Sequence, residues 1–269
     1  MGDKMKDLNL DLVTVVLPNY NSGQSLKYSI GSVLSQTYEN LELIIIDDGS
    51  IDVSKDIAKE FEMADPRIKA IYLDRNFGRS YARNIAIKKS IGKYIAFIDA
   101  GDIWHNDKLN KQIKFLDGSL AIGVCTSYSW FSSYSDIYNT EKKILIKQGE
   151  IYDNDLRFVN PIAMSTAIVE RLKIDSCSFE DGYKEDYKFW ICILSHNKHK
   201  YFEKMGEILT YYHSPTGLDL LFKKVNNAKE QYKIYRLYFK YDIFKSAMYF
   251  SLYSFVSVKK YIHVLFCKK

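Results

Sequence analysis

At 269 residues, 47% apolar and 26% charged, the chain has room for one large α/β domain with an appendage, and its composition excludes disorder as its ground state. Four prolines and thirteen glycines leave no material for a long Pro- or Gly-rich linker. The net charge of +5 is uneven: from 221 to 269 eleven Lys or Arg face two acids, a surplus of nine, which leaves the rest of the chain at −4 and points to a surface-binding tail rather than a nucleic-acid binder.

Leu12 to Leu17 is a short β-branched apolar run, as expected of a strand buried on both faces. Pro18-Asn19-Tyr20-Asn21 ends it, and the helix predicted from Gln24 to Thr37 puts Leu26, Ile30, Val33 and Leu34 on one face. A second strand, Leu41 to Ile46, runs into Asp47-Asp48-Gly49-Ser50, and Asp52 is placed to cap a helix from Val53 to Met63. A third strand is predicted for Arg67 to Tyr72, a helix for Arg79 to Ser90, a fourth strand for Tyr94 to Ile98 and a helix for Asp107 to Leu116. Strands and helices alternating at this spacing predict a mostly parallel sheet covered by helices on both faces. Ligands of such sheets lie beyond the carboxyl ends of the strands, where Asn19–Asn21, Asp47–Ser50 and Asp99–Asp102 all fall.

From Leu120 to about His213 the chain becomes richer in Tyr and Ser, with a helix near Asp186–Ser195, and no linker separates this half from the first. The organisation expected is one domain over 1–220, with a nucleotide-binding half to about 118 and an acceptor-facing half from about 119 to 220, followed by a basic aromatic tail, 221–269. Cys125, Cys177, Cys192 and Cys267 form no CxxC pair, and 1–11 is polar with both charge signs. These features predict free thiols in a reducing, cytoplasmic compartment. His196 and His199 are read as a solvated helix end rather than a metal pair.

Three polar segments carry the chemistry. Asp47-Asp48-Gly49-Ser50 offers a carboxylate to a uracil imide or a ribose hydroxyl, although alone it also reads as a turn and helix cap. Asp99-Ala100-Gly101-Asp102 offers two carboxylates to a divalent cation beside a diphosphate, or simply ends a strand. Lys184-Glu185-Asp186-Tyr187 opens a helix with acids that serve either the helix dipole or general-base catalysis.

Taken together in order, VTVVLPNYN, SVLSQTYENLELIIIDDGSID, DPRIKAI, NFGRSYARN, GKYIAFIDAGDIW, AMSTAIVER and KEDYKFW resemble the inverting glycosyltransferase family 2, in particular its bacterial O-antigen and polysaccharide members. The resemblance implies the GT-A fold, a Rossmann-like mixed α/β sheet built for nucleotide-diphospho-sugars. It implies that Pro18, Tyr20 and Asp48 hold the base and ribose, that Arg83 shapes the same pocket, that Asp99 lies near ribose and metal, and that Asp186 deprotonates the acceptor hydroxyl. The cofactor implied is Mn2+ or Mg2+. The family's middle, metal-binding Asp is Gly101 here, which leaves Asp102 with Asp99 as ligands, a cation held by diphosphate and water, or weak dependence on metal; Asp102 is preferred. Cys192 and Tyr211-Tyr212-His213 stand where similar enzymes often carry Arg.

Thirteen aromatics interleave the tail's cations, and the uncharged run between Lys245 and Lys259 is thirteen residues, short of the roughly 20 needed to span a bilayer. A helix from Tyr241 would set Asp242, Ser246, Tyr249, Tyr253, Ser257 and Lys260 on a narrow stripe amid apolar residues, suited to a membrane interface or to packing on the body or a second copy. The function expected is transfer of a hexose (glucose, galactose or an N-acetylhexosamine) from a UDP-sugar to an undecaprenyl-diphosphate-linked sugar for O-antigen or another surface polysaccharide. The enzyme would be peripheral on the inner face of the cell membrane, alone or as a homodimer. A nucleotidyltransferase would show cations in Pro18–Gly23, which has none; a non-catalytic nucleotide-sugar or membrane binder is the alternative that Gly101 keeps open.

Overall fold

The computed structural model describes residues 11–137, 142–213 and 220–266. Its centre is β1 (Val13–Asn19), buried along its whole length, with β2 (Leu41–Asp47) and β4 (Tyr94–Phe97) parallel on either side and β3 (Ile68–Tyr72) beyond β2. Alternate residues feed two cores. Val13, Val15, Leu17, Leu43 and Ile45 meet Leu26, Ile30 and Val33 of α1 (Ser25–Leu34), Ile57 of α2 (Ser54–Ala64) and Leu109 of α4 (Lys108–Leu116). Val16, Ile44, Ile46 and Phe97 meet Ala82 and Ala86 of α3 (Arg79–Lys89) and Trp190 of α5 (Glu185–His196). Each such buried aliphatic contributes about 1.5–3 kcal/mol, which is why a continuous apolar run, not an alternating one, encodes the central strands.

Beyond β4 the sheet turns mixed: its order is β3-β2-β1-β4-β9-β6-β10-β5, with β9 (Ile168–Glu170) antiparallel to both β4 and β6 (Gly123–Phe131). The long β10 (Phe202–His213) runs parallel to β6 and pairs antiparallel with the two-residue β5 (Ile103–Trp104). β7 (Lys142–Ile144) and β8 (Gly149–Ile151) pair with β6 and β10. The expected strands and helices all occur. α1 stops at Leu34 rather than Thr37 because Gln36 turns to the 105–109 segment, accepting the Leu109 N–H and donating to the His105 carbonyl.

Two tail helices follow, α6 (Leu220–Leu237) and α7 (Ile243–Phe266). The hairpin rests on the body through Ile234 in the second core, the Lys188–Glu230 ion pair at 3.7 Å and a Tyr238–Glu180 hydrogen bond. The helix α7 packs inside out. Ser246, Tyr249 and Tyr253, part of the polar stripe, are buried or half-buried, while Phe244 (88% exposed), Met248, Leu252 and Phe255 (70%) face solvent. No helix among the described residues is long and apolar enough to cross a membrane.

One expectation is corrected. Cys177 and Cys192 are joined in a disulfide, and Cys125 is buried and free; Cys267 lies outside the described residues. The bond ties the segment before Phe179 to α5 across a fold-made contact, which no short Cys spacing announces. His196 stands beside this bonded pair, whose sulfurs are therefore not thiolate ligands.

Candidate functional site

The strand ends build two cavities that share a wall. The smaller, about 450 Å³, is lined by Pro18, Asn19, Tyr20, Asp48, Asn76 and Ala100 among others; the larger, about 820 Å³, by Arg83, Tyr128, Trp130, Lys184, Glu185, Asp186 and Tyr212 among others. Gly78, Arg79 and Asp99 line both. The structure thus brings Pro18, Tyr20, Asp48 and Asp99 together, and sets Asp186 and Arg83 across Asp99 from them.

The smaller cavity is held by carboxylates facing backbone. Buried Asp47 accepts from the Asn19 side chain (2.7 Å) and the Ser50 N–H (3.0 Å), fixing the two loops against each other. Asp48 accepts the N–H groups of Phe77 (2.8 Å) and Gly78 (2.8 Å), one on each oxygen. It therefore holds the 76–78 segment in place as well as lining the cavity, and an ionised carboxylate retains lone pairs for a hydroxyl or imide. Gly49, directly after them, is obligatory: its φ is +73° and a Cβ would lie 2.4 Å from the Arg75 backbone. Tyr20, 48% exposed, presents its ring at the mouth.

Asp99 receives two guanidinium groups. Arg83, 1% exposed, reaches it at 2.6 Å and Glu185 at 3.4 Å, with its guanidinium 5.1 Å from the Phe179 ring. Arg79 stands 3.4 Å from Asp99 and 3.9 Å from Glu185. Burial alone would raise the Asp99 carboxyl, but Arg83 and Arg79 outweigh it and hold it below the ordinary range. Arg83 lines the larger cavity and bears on the smaller one through Asp99, which lines both.

Asp102 points elsewhere. It is buried, lines neither cavity, and accepts the Ser165 hydroxyl (2.6 Å) and the His213 N–H (3.1 Å). Burial, then the Asp99 charge, push its carboxyl up to about 8. Asp102 works as a strut joining the 99–102 loop to β10.

Asp186 sits in the first turn of α5, following Lys184 with its left-handed φ of +58°. Its oxygens accept from the Asn160 side chain (2.9 Å) and from the Tyr187 N–H (2.8 Å). Burial first, and Glu185 second, raise its carboxyl above the ordinary value, as a proton acceptor working near neutrality requires. Lys184, lowered by burial to about 8, donates to Gln231 at 2.5 Å and to Tyr253 at 3.3 Å, tying the cavity rim to both tail helices.

Sequence reasoning missed Arg79, Trp130, Tyr128, Tyr212 and Asn160. Arg79 lay inside a segment singled out for its neighbours, and the aromatics only become one wall once β6 and β10 pair, with Tyr128 against Trp130 at 5.3 Å and against Tyr212 at 5.0 Å.

The glycosyl transferase family 2 model matches residues 14–179, more than half of the chain. The chain is 31% identical over 261 residues to an uncharacterised glycosyltransferase of Haemophilus influenzae, covering 94% of this chain and 99% of that one. It is 37% identical over 192 residues to the UDP-Glc:α-D-GlcNAc-diphosphoundecaprenol β-1,3-glucosyltransferase WfaP of Escherichia coli, covering 69% of this chain and 71% of that one. In fold it is similar to a mannosyltransferase of Pyrobaculum calidifontis solved with GDP-Man and Mn2+, with a TM-score of 0.64 and 17% identity over 86% of this chain and 64% of that one.

Proposed function

The chain belongs to glycosyl transferase family 2 and has its GT-A fold, and from that premise we propose that it transfers a hexose from a UDP-sugar to a lipid-diphosphate-linked sugar with inversion, Asp186 acting as general base. The observation that carries this reading is the meeting of two cavities at Arg79 and Asp99, with Asp48 and Tyr20 in one and Asp186 in the other. The donor's uridine lies in the smaller cavity between Pro18, Tyr20 and Asp48, and its diphosphate reaches toward Asp99 and Arg79. The acceptor sugar lies in the larger one against Tyr128, Trp130 and Tyr212, aromatic faces suited to the apolar side of a pyranose.

In the step itself the acceptor oxygen bonds to the anomeric carbon, the bond from that carbon to the β-phosphate oxygen breaks with its electron pair leaving on UDP, and the acceptor proton passes to Asp186. Asn160 and the Tyr187 N–H orient the carboxylate for that transfer. The name of the E. coli relative, which specifies UDP-Glc and a GlcNAc-diphosphoundecaprenol acceptor, supports glucose and a lipid-linked GlcNAc as the first pair to try. The tail supports a membrane-borne acceptor: α7 turns Phe244, Met248, Leu252 and Phe255 outward, and Lys240 and Lys245 stand at its start, a face suited to an anionic lipid interface. On this reading the enzyme works peripherally on the inner membrane face.

The residues present do not fit a resident divalent cation. Both oxygens of Asp102 are engaged inside the protein, Asp99 faces two arginines, and Gly101 has no side chain. Incubation with UDP-glucose, UDP-galactose, UDP-N-acetylhexosamines and GDP-mannose, each with an undecaprenyl-diphosphate-GlcNAc acceptor, tests the proposal. Acceptor-dependent UDP release is expected. Binding of UDP without release in the presence of every acceptor would favour the non-catalytic reading instead.

A further inference from the structure

The loop that should grip a cation is built here as a salt-bridged strut. Asp99 meets Arg83 at 2.6 Å and Arg79 at 3.4 Å, and Asp102 faces inward to Ser165 and His213. Gly101 has a φ of +106°, which L side chains rarely adopt, and a Cβ there would sit 3.5 Å from His213 Nδ1 and 3.6 Å from Tyr134 Oη. The site of the missing carboxylate is thus walled by an aromatic layer, in which Tyr134 stacks on Tyr28 at 4.0 Å and His213 packs at 5.0 Å from Tyr134. Mg2+ and Mn2+ take oxygen ligands, carboxylates foremost. Seating one on Asp99 would strip the buried Arg83 of its nearest partner and leave a buried guanidinium short of its counter-charge, and His213 adds only an imidazole.

Arg79 occupies the place where positive charge is wanted. Its side chain is 59% exposed, it lines both cavities, and it opens α3, an eleven-residue helix whose dipole also favours an anion at this end. Its ion pairs are long, 3.4 and 3.9 Å, so its planar fork of donors can exchange them for phosphate oxygens with little loss. Arg83 cannot do this, being 1% exposed and committed to Asp99 and Glu185.

We propose that Arg79 replaces the divalent cation: transfer proceeds without metal, and the Arg79 guanidinium receives the negative charge that UDP gains when the anomeric carbon–oxygen bond breaks. Asp99 and Glu185 hold the guanidinium between the cavities, and Asp186 takes the acceptor proton as above. This rests on the donor reading of the smaller cavity.

The test measures UDP binding by calorimetry and UDP release with acceptor, each in EDTA and in MnCl2, for wild type, Arg79→Ala and Arg79→Lys. Wild type is expected to bind and turn over in EDTA within about threefold of its values in manganese. Arg79→Ala is expected to lose about 10²-fold in turnover in both buffers, as does an enzyme deprived of one transition-state donor. Arg79→Lys, which keeps the charge without the fork, is expected to fall between. Wild-type turnover that EDTA abolishes and manganese restores, with UDP still bound, would overturn the role of Arg79 and leave the donor reading standing. So would an Arg79→Ala enzyme as fast as wild type. Wild type that binds no UDP in either buffer would overturn the donor reading and this inference with it. The EDTA comparison on wild type needs no variant to fold, and melting curves of both variants report whether their losses are structural.

Discussion

Replacing Asp186, the proposed general base, by Asn removes its ionisable carboxylate while nearly preserving shape. The carboxylate accepts one N–H on each oxygen, from Asn160 and from Tyr187. An amide has one acceptor oxygen, so one of those donors would then face an NH2 group. Asn160 cannot turn its own amide to compensate without losing the bond its Oδ1 accepts from the Ile162 N–H at 3.1 Å. The stability loss expected is about 1–3 kcal/mol, the cost of an unsatisfied buried polar group, visible as a lower melting temperature but short of unfolding. The rate loss expected is about 10²–10⁴-fold in kcat, the span of general acid–base catalysis. KM for the UDP-sugar should stay near wild type, since Asp186 lines only the larger cavity. Because burial raises the Asp186 carboxyl, the wild-type rate should fall on the acid side of a pH above the ordinary carboxylate range, and that limb should vanish in Asp186→Asn. Initial rates of UDP release against pH measure all of this. A variant with wild-type kcat and an intact acid limb would refute the assignment of the base.

Asp102, raised to about 8 in the fold from an ordinary 3.8, binds its proton more tightly folded than unfolded, so its contribution to stability is full below about pH 4 and is lost as pH rises to about 8. Asp102→Asn can accept from the His213 N–H and donate to Ser165, so the drop in melting temperature from pH 6 to pH 8 should be smaller in the variant than in wild type. Arg83→Met should destabilise by about 3–5 kcal/mol, since it leaves Asp99 and Glu185 without their buried partner, and denaturant melts would read it. Asp48→Ala frees the N–H groups of Phe77 and Gly78 and loosens the 76–78 wall, so KM for the donor should rise about tenfold or more with KM for the acceptor little changed. Phe244→Glu with Phe255→Glu should weaken sedimentation with anionic vesicles without lowering UDP binding, because both side chains point away from the body.

Much of the fold was legible because its central strands are buried on both faces and so are written as near-continuous apolar runs, broken only at Thr14 and Glu42: LVTVVL, LELIII and YIAFI each mark a strand within a residue or two. The loops at their ends were legible too, since Asp47–Ser50 and Asp99–Asp102 are polar clusters that interrupt such runs. Side-chain direction was less so. Asp99 and Asp102 are three residues apart in one loop, yet one faces the cavities and the other faces Ser165, a choice made by β10 more than a hundred residues later. The α7 stripe shows the same limit from another side. Periodicity identified Ser246, Tyr249 and Tyr253 as one face, but only the fold decides that this face packs inward and the apolar one outward. The Cys177–Cys192 disulfide likewise depends on a contact between a loop and α5. The aromatic wall of Tyr128, Trp130 and Tyr212 exists only through the β6–β10 register.

On the proposed reading, with donor and acceptor in adjoining cavities and Asp186 taking the acceptor proton directly, transfer is a single displacement at the anomeric carbon. Nuclear magnetic resonance of the product released from an α-linked UDP-sugar reads that directly. A β anomer is expected; an α anomer would mean that the configuration survives transfer, and would contradict Asp186 as the base of a one-step substitution.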